Sequence, residues 1–356
     1  MPGSSTGTLL LNTIFSVALE KKATDLHLMP GNYPVLRLED KLYVLAEEQV
    51  LTVDTINALV DSWLTAEDKE RLRSEREIRT VFTWADRARF RATIFYQQGY
   101  LAVSMRRIPE SVQDPKSLLV PEVVLDKIAA MQGLLIICGS FNSGRTTTVA
   151  SLIQHINMNY SKRITTLERP IEYIFANNRS VVNQREIGRD TPSFVHGMRD
   201  LLDDDVDVVT VTELMELGSH ELALTLAEGG KLVIAIMNTN SSISAIENFL
   251  DNIPHDKRKW AKDSLASVLR AIVSQRLIPG IGGGRVLACE VLTMSPAVAS
   301  IVQEEKFSQL NNVLQTSREE GMVSLDYRLN ELVRGGKIAA EEAKKFALDP
   351  SNIRAR

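Results

Sequence analysis

Hydrophobic and polar positions change their period twice along the chain, which divides it into three regions. In the first, residues 1–108, a helical spacing of apolar residues is followed by segments that alternate in polarity, as half-buried strands do. These segments predict a hairpin that turns at Glu39-Asp40 and two further strands, Arg87 to Tyr96 and Leu101 to Ile108. The first region is therefore predicted to be mixed α+β. Its helix carries Leu10, Ile14, Val17 and Ala18.

Prolines at positions 109, 115 and 121 mark residues 109–121 as a linker, after which short apolar runs alternate with helical patterns. Apolar runs without polar interruption are typical of parallel strands that helices cover on both faces. Residues 122–294 are therefore predicted to form a parallel α/β domain. The predicted strands are Leu134 to Cys138, Ile164 to Leu167, Val206 to Val211 and Leu232 to Met237.

Helical spacing returns after Met294 and predicts a small helical domain over residues 295–356. Ser295-Pro296 has the residue types of a helix N-cap and first turn. Gly335-Gly336 ends a second helix, and Ala339 to Leu348 predicts a third. The apolar positions of the second helix are Leu325, Leu329, Leu332 and Val333.

Composition excludes several classes of protein. With 356 residues, 44% of them hydrophobic and 24% charged, the chain can bury a core in two or three domains, unlike disordered, collagen-like or disulfide-rich sequences. Its formal net charge of −4 provides no basic footprint for coating nucleic acid or an anionic membrane. Local basic patches stay possible.

The apolar segments and the cysteines favour a cytosolic location. All apolar runs fall far below the ~18 residues of a membrane span. The run from Leu9 to Leu19 is interrupted by Asn12 and Ser16, so a signal peptide is not expected. Cys138 and Cys289 follow apolar runs, which predicts buried thiols in a reducing compartment, without a redox or metal role.

A glycine-rich loop follows the first predicted parallel strand. Gly139 to Thr146 fits the P-loop pattern G-x-x-x-x-G-K-[ST] except that Arg145 stands at the lysine position. Backbone N–H groups of such a loop and the following helix N-terminus bind phosphate, and Thr146 is placed to ligate Mg²⁺. An ordinary strand-to-helix turn would also use these glycines, but strand, loop and helix stand in P-loop order. The predicted nucleotide contacts are Gly139, Ser140, Asn142, Ser143, Gly144, Arg145, Thr146 and Thr147.

Arginine and lysine are not equivalent at this position. Lysine reaches the β- and γ-phosphates as a compact charge, whereas the longer, planar guanidinium of Arg145 binds phosphate with a different geometry. The exchange therefore predicts that nucleotide binding persists where hydrolysis is weakened.

A carboxylate stands at the end of another predicted strand. Val208 to Thr212 leads to Glu213, which could polarise an attacking water or hold Mg²⁺ through water. Acidic residues at strand ends are common, so this role depends on the P-loop upstream. The run Asp203-Asp204-Asp205 is interpreted as a solvated turn rather than a metal cluster.

Several motifs resemble, over essentially the whole chain, the PilT/PilU branch of the type IV pilus and type II secretion hexameric ATPases. Phe95-Tyr96-Gln97 and Met105 to Ile108 are more similar to PilU than to PilT. The other matching segments are Thr24-Asp25-Leu26-His27-Leu28, Arg89-Phe90-Arg91, Leu167-Glu168-Arg169-Pro170-Ile171-Glu172, Asn183-Gln184-Arg185-Glu186, Leu269 to Gln275 and Gly321-Met322.

The resemblance implies a PAS-like N-terminal domain linked to a RecA-like motor. It implies a hexameric ring at the pilus base, on the cytoplasmic face of the inner membrane, with ATP or ADP and Mg²⁺ bound between neighbouring motors. The implied partners are further copies of the chain, a paralogous PilT-like ATPase and the inner-membrane pilus platform protein. Nucleic acid is not expected, because the chain lacks a basic, aromatic-rich groove for RecA-type action on DNA.

The resemblance also implies roles for particular side chains. Glu213 and Glu168 take the positions of the catalytic carboxylate and of the acidic box. Arg89, Arg91 and Arg106 are candidate arginine fingers, which can be worth ~10³ to 10⁵ in turnover. A solvated strand face or ion pairing would use the same arginines.

Five functional elements depart from the family pattern. Losing one preorganised transition-state donor commonly costs ~10² to 10³ in rate, although coupled losses do not simply multiply. The sequence therefore predicts an accessory retraction subunit that binds nucleotide and hydrolyses ATP weakly or not at all; an autonomous motor with a variant active site is the alternative. The departures are Arg145 for the P-loop lysine, Arg169 for the acidic-box aspartate, Thr212 for the glycine before the catalytic glutamate, Met215 for a following arginine, and Lys231 and Asn238 for the two histidines of the histidine box.

Overall fold

The computed structural model describes residues 4–38, 41–85 and 87–354, and the chain divides into two compact units. The first contains the residues up to Ser111 together with Pro170–Tyr173, and the second contains Val112–Arg169 and the residues from Ile174 onward. The boundary after Ser111 falls inside the segment predicted as a linker. The predicted α/β class, with a P-loop unit after an α+β unit, is confirmed.

The first unit is an antiparallel sheet with helices. Its described strands are β1 (Asp25–Leu28), β2 (Val35–Leu38), β3 (Lys41–Val44), β4 (Glu77–Trp84), β5 (Ala88–Gln97) and β6 (Tyr100–Ile108). They lie in the order β3-β2-β1-β6-β5-β4. The helices are α1 (Ser4–Glu20), α2 (Val53–Trp63) and α3 (Ala66–Glu75). The predicted hairpin is the antiparallel pair β2 and β3, and its predicted turn at Glu39-Asp40 lies outside the described residues.

Alternation along β5 determines which side chains enter the core of the first unit. Ala88, Phe90, Ala92 and Ile94 are buried, so the arginines between them occupy the other face. An aromatic cluster around Phe15 of α1 fills the core, with ring centroids 5.4–6.2 Å from that ring. The rings around Phe15 are Trp63, Phe82, Trp84 and Phe90.

The second unit is built on a mostly parallel sheet. Its described strands are β7 (Gly133–Gly139), β8 (Arg163–Glu168), β9 (Val181–Glu186), β10 (Val208–Val211), β11 (Leu232–Met237), β12 (Leu269–Pro279) and β13 (Arg285–Thr293). Their order is β13-β12-β7-β11-β10-β8-β9, and only the β12–β13 pair among them is antiparallel. Strands β7, β10 and β11 are buried along their whole length, as their uninterrupted apolar runs predict.

The second unit also contains ten described α-helices, of which the last four follow the last strand in the chain. They are α4 (Glu122–Ala129), α5 (Arg145–Asn159), α6 (Phe194–Asp200), α7 (Ser219–Glu228), α8 (Ser242–Asp251), α9 (Arg258–Val268), α10 (Pro296–Gln303), α11 (Leu310–Thr316), α12 (Leu325–Arg334) and α13 (Ala340–Phe346). The predicted cap of α10 is confirmed, because the Ser295 side chain accepts a hydrogen bond from the backbone N–H of Val298. Helices α10 to α13 belong to the second unit, where Leu325 and Leu329 pack with Ile278 and Ala288 of the β12–β13 hairpin.

The cysteines, one acidic segment and the apolar helices were singled out in the sequence. Both cysteines are buried, and burial raises the pKa of Cys138 to about 11 and of Cys289 to about 12. The segment Asp203–Asp205 lies in the loop between α6 and β10 and is exposed or half-buried, and no cluster of three metal-ligating side chains exists among the described residues. Within residues 4–38, 41–85 and 87–354, no helix has both the length and the apolarity for crossing a membrane.

Candidate nucleotide-binding site

The glycine-rich loop joins β7 to α5 and needs glycine at both of its ends. A Cβ on Gly139 would lie 2.6 Å from the carbonyl oxygen of Gln275 and would also overlap the Ser143 side chain. Gly144 is the N-cap of α5 and has a φ of 87°, in the left-handed region that glycine adopts without strain. The loop therefore keeps the compact backbone path through which P-loop N–H groups approach phosphate.

The side chain of Gln275 supports this loop through hydrogen bonds. It is buried on β12, and its Nε2 lies 3.4 Å from the Ser143 carbonyl oxygen and 3.0 Å from the Thr148 hydroxyl. One amide thus connects β12 to both the loop and the first turns of α5. No role for Gln275 was predicted from the sequence, although a glutamine within an apolar strand is typical of a buried polar contact.

Arg145, at the lysine position of the P-loop, lies against the end of β11. Its Nη1 donates a hydrogen bond of 2.6 Å to the Met237 carbonyl oxygen. Burial lowers its pKa, while the negative charge of Glu213 acts in the opposite direction, and an arginine stays protonated in either case. Its guanidinium is therefore engaged with the β11 backbone in this structure.

The two predicted carboxylates lie at the same edge of the sheet as the P-loop. Glu168 ends β8 and Glu213 follows β10, and these parallel strands are neighbours in register. The Glu168 side chain is buried and accepts hydrogen bonds from the Thr166 hydroxyl at 2.6 Å and the Gln184 amide at 3.0 Å. Glu213 is partly exposed, and one of its oxygens lies 3.7 Å from Arg169.

Of the two positions compared with the histidine box, only Asn238 lies at this edge. It follows Met237, the last residue of β11, and is exposed. Lys231 precedes the first residue of the same strand and donates to the carbonyl oxygens of Asp204 and Val206, at 2.9 and 3.4 Å. A strand of this length separates the two positions by roughly 20 Å, so they serve different edges of the sheet.

The three candidate arginine fingers are all engaged within the first unit. Arg89 donates to the Ile171 carbonyl oxygen at 3.2 Å, and Arg91 pairs with Glu172 at 2.6 Å. Arg106, which lies opposite Arg91 on the neighbouring strand, pairs with Asp25 at 2.9 Å. Their finger role stays a prediction.

A cavity of about 400 Å³ opens beside the P-loop, within the second unit. The hydroxyl of Ser143, at the cavity wall, is buried and has no hydrogen-bond partner among the described residues. Arg276 donates to the Phe346 carbonyl oxygen at 2.5 Å, which brings α13 into the wall. This lining suits a nucleotide. The loop and the unpartnered hydroxyl offer groups that can bind phosphate, and the wall adds cationic and aromatic side chains. The lining residues are Ser140, Phe141, Asn142, Ser143, Asn240, Gln275, Arg276, Leu277, Arg285 and Phe346.

Most residues of this wall were not predicted from the sequence. Arg276 directly follows a recognised motif, but Arg285 and Phe346 lie in segments without a local signal of nucleotide binding. The site combines three features: a P-loop at the carboxyl edge of a parallel sheet, a carboxylate after each of two neighbouring strands, and a cavity beside the loop. Together they are typical of a P-loop nucleotide-binding protein.

Comparison with known proteins narrows that class. The family model described as "Type II/IV secretion system protein" matches residues 4–283. The chain is 32% identical over 352 residues to the type IV pilus retraction ATPase PilT of Pseudomonas aeruginosa, covering 96% of this chain and 99% of PilT. It is 27% identical over 342 residues to the type IV pilus ATPase PilU of that organism, covering 96% and 89%.

A solved structure agrees with the sequence comparison. The crystal structure of the pilus retraction motor PilT with bound ADP superposes with a TM-score of 0.84 at 35% identity, covering 95% of this chain and 97% of that one. The chain therefore belongs to the PilT/PilU family of type IV pilus retraction ATPases, within the type II/IV secretion ATPase superfamily. The greater similarity to PilU that the short motifs indicate stays a prediction.

Proposed function

We propose that this protein is an accessory subunit of pilus retraction that binds ATP or ADP with Mg²⁺, hydrolyses ATP weakly or not at all, and acts with a competent PilT-like motor. One observation carries the proposal. The P-loop keeps its backbone path, whereas its cationic residue Arg145 is bonded to the Met237 carbonyl oxygen. A site of this kind retains phosphate binding and lacks a freely placed cation for the transition state.

The nucleotide is proposed to bind along the loop and the adjoining cavity. Backbone N–H groups of residues 140–147 would hold the phosphates, and the Thr146 hydroxyl would ligate Mg²⁺, which neutralises charge on the phosphates when bound. The cavity beside the loop would receive the nucleoside, between Arg276, Arg285 and Phe346. PilT itself was solved with ADP bound, which supports this assignment.

Assembly and location extend the same proposal. We infer a hexamer, or a ring mixed with a PilT-like ATPase, in which arginines of the first unit complete a neighbour's site. Arg89, Arg91 and Arg106 would then have to leave the partners they have within one chain. The ring would act at the cytoplasmic face of the inner membrane, on the pilus platform protein.

An autonomous motor is the second candidate, and one observation favours it. Glu168 and Glu213 are both present at the carboxyl edge of the sheet, where a hydrolytic site would need them. In that case other groups of this chain would replace the missing lysine and histidines.

Nucleotide titration and phosphate release, measured on the same full-length sample with Mg²⁺, separate the two candidates. We expect saturable binding of a fluorescent ADP analogue and a turnover at least ~10²-fold below that of a PilT-type motor, since one lost transition-state donor costs about that much. Turnover equal to such a motor would favour the autonomous candidate. Failure to bind, or unchanged binding in Gly139→Ala, whose new Cβ would disrupt the loop backbone, would show that the loop is not the phosphate site.

A further inference from the structure

The guanidinium of Arg169 is shared by the loop that carries Glu213 and the neighbouring helix α6. Its Nη1 lies 3.7 Å from Oε2 of Glu213, and its Nη2 lies 3.0 Å from Oε1 of Glu216. The same group stacks 5.0 Å from the ring centre of Phe194, the first residue of α6. Three contacts from two segments therefore fix the position of one side chain.

Glu216 is anchored independently of this arginine. Its second oxygen accepts a hydrogen bond of 3.1 Å from the backbone N–H of Val195. Because Glu216 and Phe194 both hold the guanidinium, Arg169 meets Glu213 from a fixed direction rather than as a freely rotating surface side chain. Such preorganisation makes an ion pair more persistent than its partial exposure alone would suggest.

Two cations interact with Glu213. Arg169 contacts it directly, and Arg145 lies close enough for the two charges to attract. A carboxylate that orients or deprotonates a water needs an oxygen free for that water, and a nearby guanidinium competes for the oxygen and stabilises the negative form. A positive charge at residue 169 therefore opposes the catalytic use of Glu213.

We propose that Arg169 is a positioning residue that holds Glu213 in a paired state and restrains hydrolysis. The inference rests on the proposed function, since it takes Glu213 as the catalytic carboxylate of a bound nucleotide. It adds a specific cause for weak turnover, one that a single neutral substitution removes.

The test compares Arg169→Gln with Arg169→Lys in the full chain. We expect Gln, which removes the charge, to raise single-turnover phosphate release about fivefold, the size of effect expected from losing a partly exposed ion pair. Lys keeps the charge and should stay within twofold of the parent protein. The Kd for a fluorescent ADP analogue should change in neither variant, because Arg169 lies outside the cavity wall.

Arg163→Gln is the matched control. Arg163 begins the strand that Arg169 follows, pairs with Asp204 at 2.6 Å, and is 38% exposed against 42% for Arg169. It lies at the opposite edge of the sheet from the P-loop, so its loss should leave turnover unchanged. The double variant Arg169→Gln, Glu213→Gln should show no gain, which a merely structural effect of residue 169 would not predict.

The outcomes separate this inference from the proposed function. If the parent protein binds no nucleotide, both are overturned. If all variants bind with unchanged Kd and Arg169→Gln gives no gain, or a gain that survives Glu213→Gln, only the role of Arg169 is overturned. Arg169→Met, equally uncharged and of similar length, carries the same expectation should the Gln variant fail to fold.

Discussion

At the scale of single residues, two buried polar side chains of the second unit have opposite surroundings. Gln275 donates to two groups of the P-loop region. His220, at the start of α7, packs edge-on against Phe249 at 5.0 Å, and its Nε2 has no hydrogen-bond partner in the part of the chain that the structure describes. Gln275 is therefore expected to influence the candidate site, and His220 is expected to influence stability.

His220 makes stability depend on pH. Burial lowers its pKa to about 4 from an ordinary value of 6.5, so the unfolded chain takes up a proton first as the pH falls. The stabilisation is present above pH 6.5 and is lost progressively towards pH 4, by ~3 kcal/mol in total. In urea unfolding of the second unit, the difference between pH 7.5 and pH 5.0 should be about 2 kcal/mol smaller in His220→Leu than in the parent.

The exposed His255 provides the control for this pH effect. His255→Leu changes an exposed side chain and keeps the buried His220, so the pH dependence expected from His220 should persist in this variant. Equal pH dependence in His220→Leu and the parent would contradict the predicted burial of a neutral imidazole.

Gln275→Leu should separate stability from binding. The change removes two donated hydrogen bonds and also a buried carbonyl oxygen that has no partner among the described residues, so the free energy of unfolding should change by only about 1 kcal/mol. The loop loses its support, and we expect ADP affinity to fall about tenfold, equivalent to ~1.4 kcal/mol. Thermal unfolding and a fluorescent-nucleotide titration measure the two effects.

Thr293→Val is the comparison for that variant. Thr293 is buried on the adjacent strand β13 and donates to the Glu320 carbonyl oxygen at 2.9 Å, away from the loop. It should affect stability without affecting affinity. A similar loss of affinity in both variants would argue that Gln275 has no special link to the loop.

At the scale of elements, the P-loop depends on how closely β7 approaches β12. These strands pair in parallel up to Gly139 and Gln275, which leaves no room for a side chain at the end of β7. This close approach explains why the glycine pattern could be recognised in the sequence, since only glycine fits at the end of β7.

Gly139→Ala should therefore destabilise the second unit by about 2–3 kcal/mol and abolish nucleotide binding, because the new Cβ would overlap backbone that cannot move aside. Gly282→Ala, in the loop after β12, meets no atom within 4 Å and should change stability by less than ~0.5 kcal/mol. Chemical denaturation of the two variants tests the difference. Comparable stability would mean that the loop adopts another path.

Elements with strong local patterns were predictable from the sequence, and contacts between distant segments were not. The buried strands β7 and β11 and the capped start of α10 follow from apolar runs and from Ser295-Pro296. Strand β9 was not predicted, because it is a polar edge strand without an apolar run. The bond from Arg145 to Met237 depends on how a long side chain folds across two strands, which no sequence pattern encodes.

At the scale of the whole molecule, the protein has the fold of a retraction ATPase, while the sequence predicts that several of its site residues depart from the family pattern. Its structure matches that of PilT over nearly the whole chain. Selection on ATP turnover alone would not readily tolerate the altered residues, and a chain without a task should have lost its packing as well. A function that depends on contact with an active motor would account for both the retained fold and the predicted changes at the site.

Measurements of pilus retraction in cells test the proposed accessory role. A deletion strain complemented with the Glu213→Gln variant should retract its pili nearly as well as one complemented with the parent protein. The reason is that assistance needs contact with the active motor and little intrinsic ATP turnover. Substitutions that prevent ring assembly should do more harm. If Glu213→Gln abolishes retraction as fully as the deletion while the protein accumulates and assembles, the autonomous motor takes the place of the accessory subunit.

The position of Phe346 in the cavity wall has a consequence for synthesis on the ribosome. The P-loop emerges about 200 residues before α13, so the nascent chain displays a phosphate loop long before the wall that Phe346 and Arg276 form together. During that interval a nucleotide would meet an open groove and leave quickly. If the cavity receives the nucleoside as proposed, tight binding would begin only once the last helix has folded, and a chain released early would carry the loop yet fail to retain its ligand.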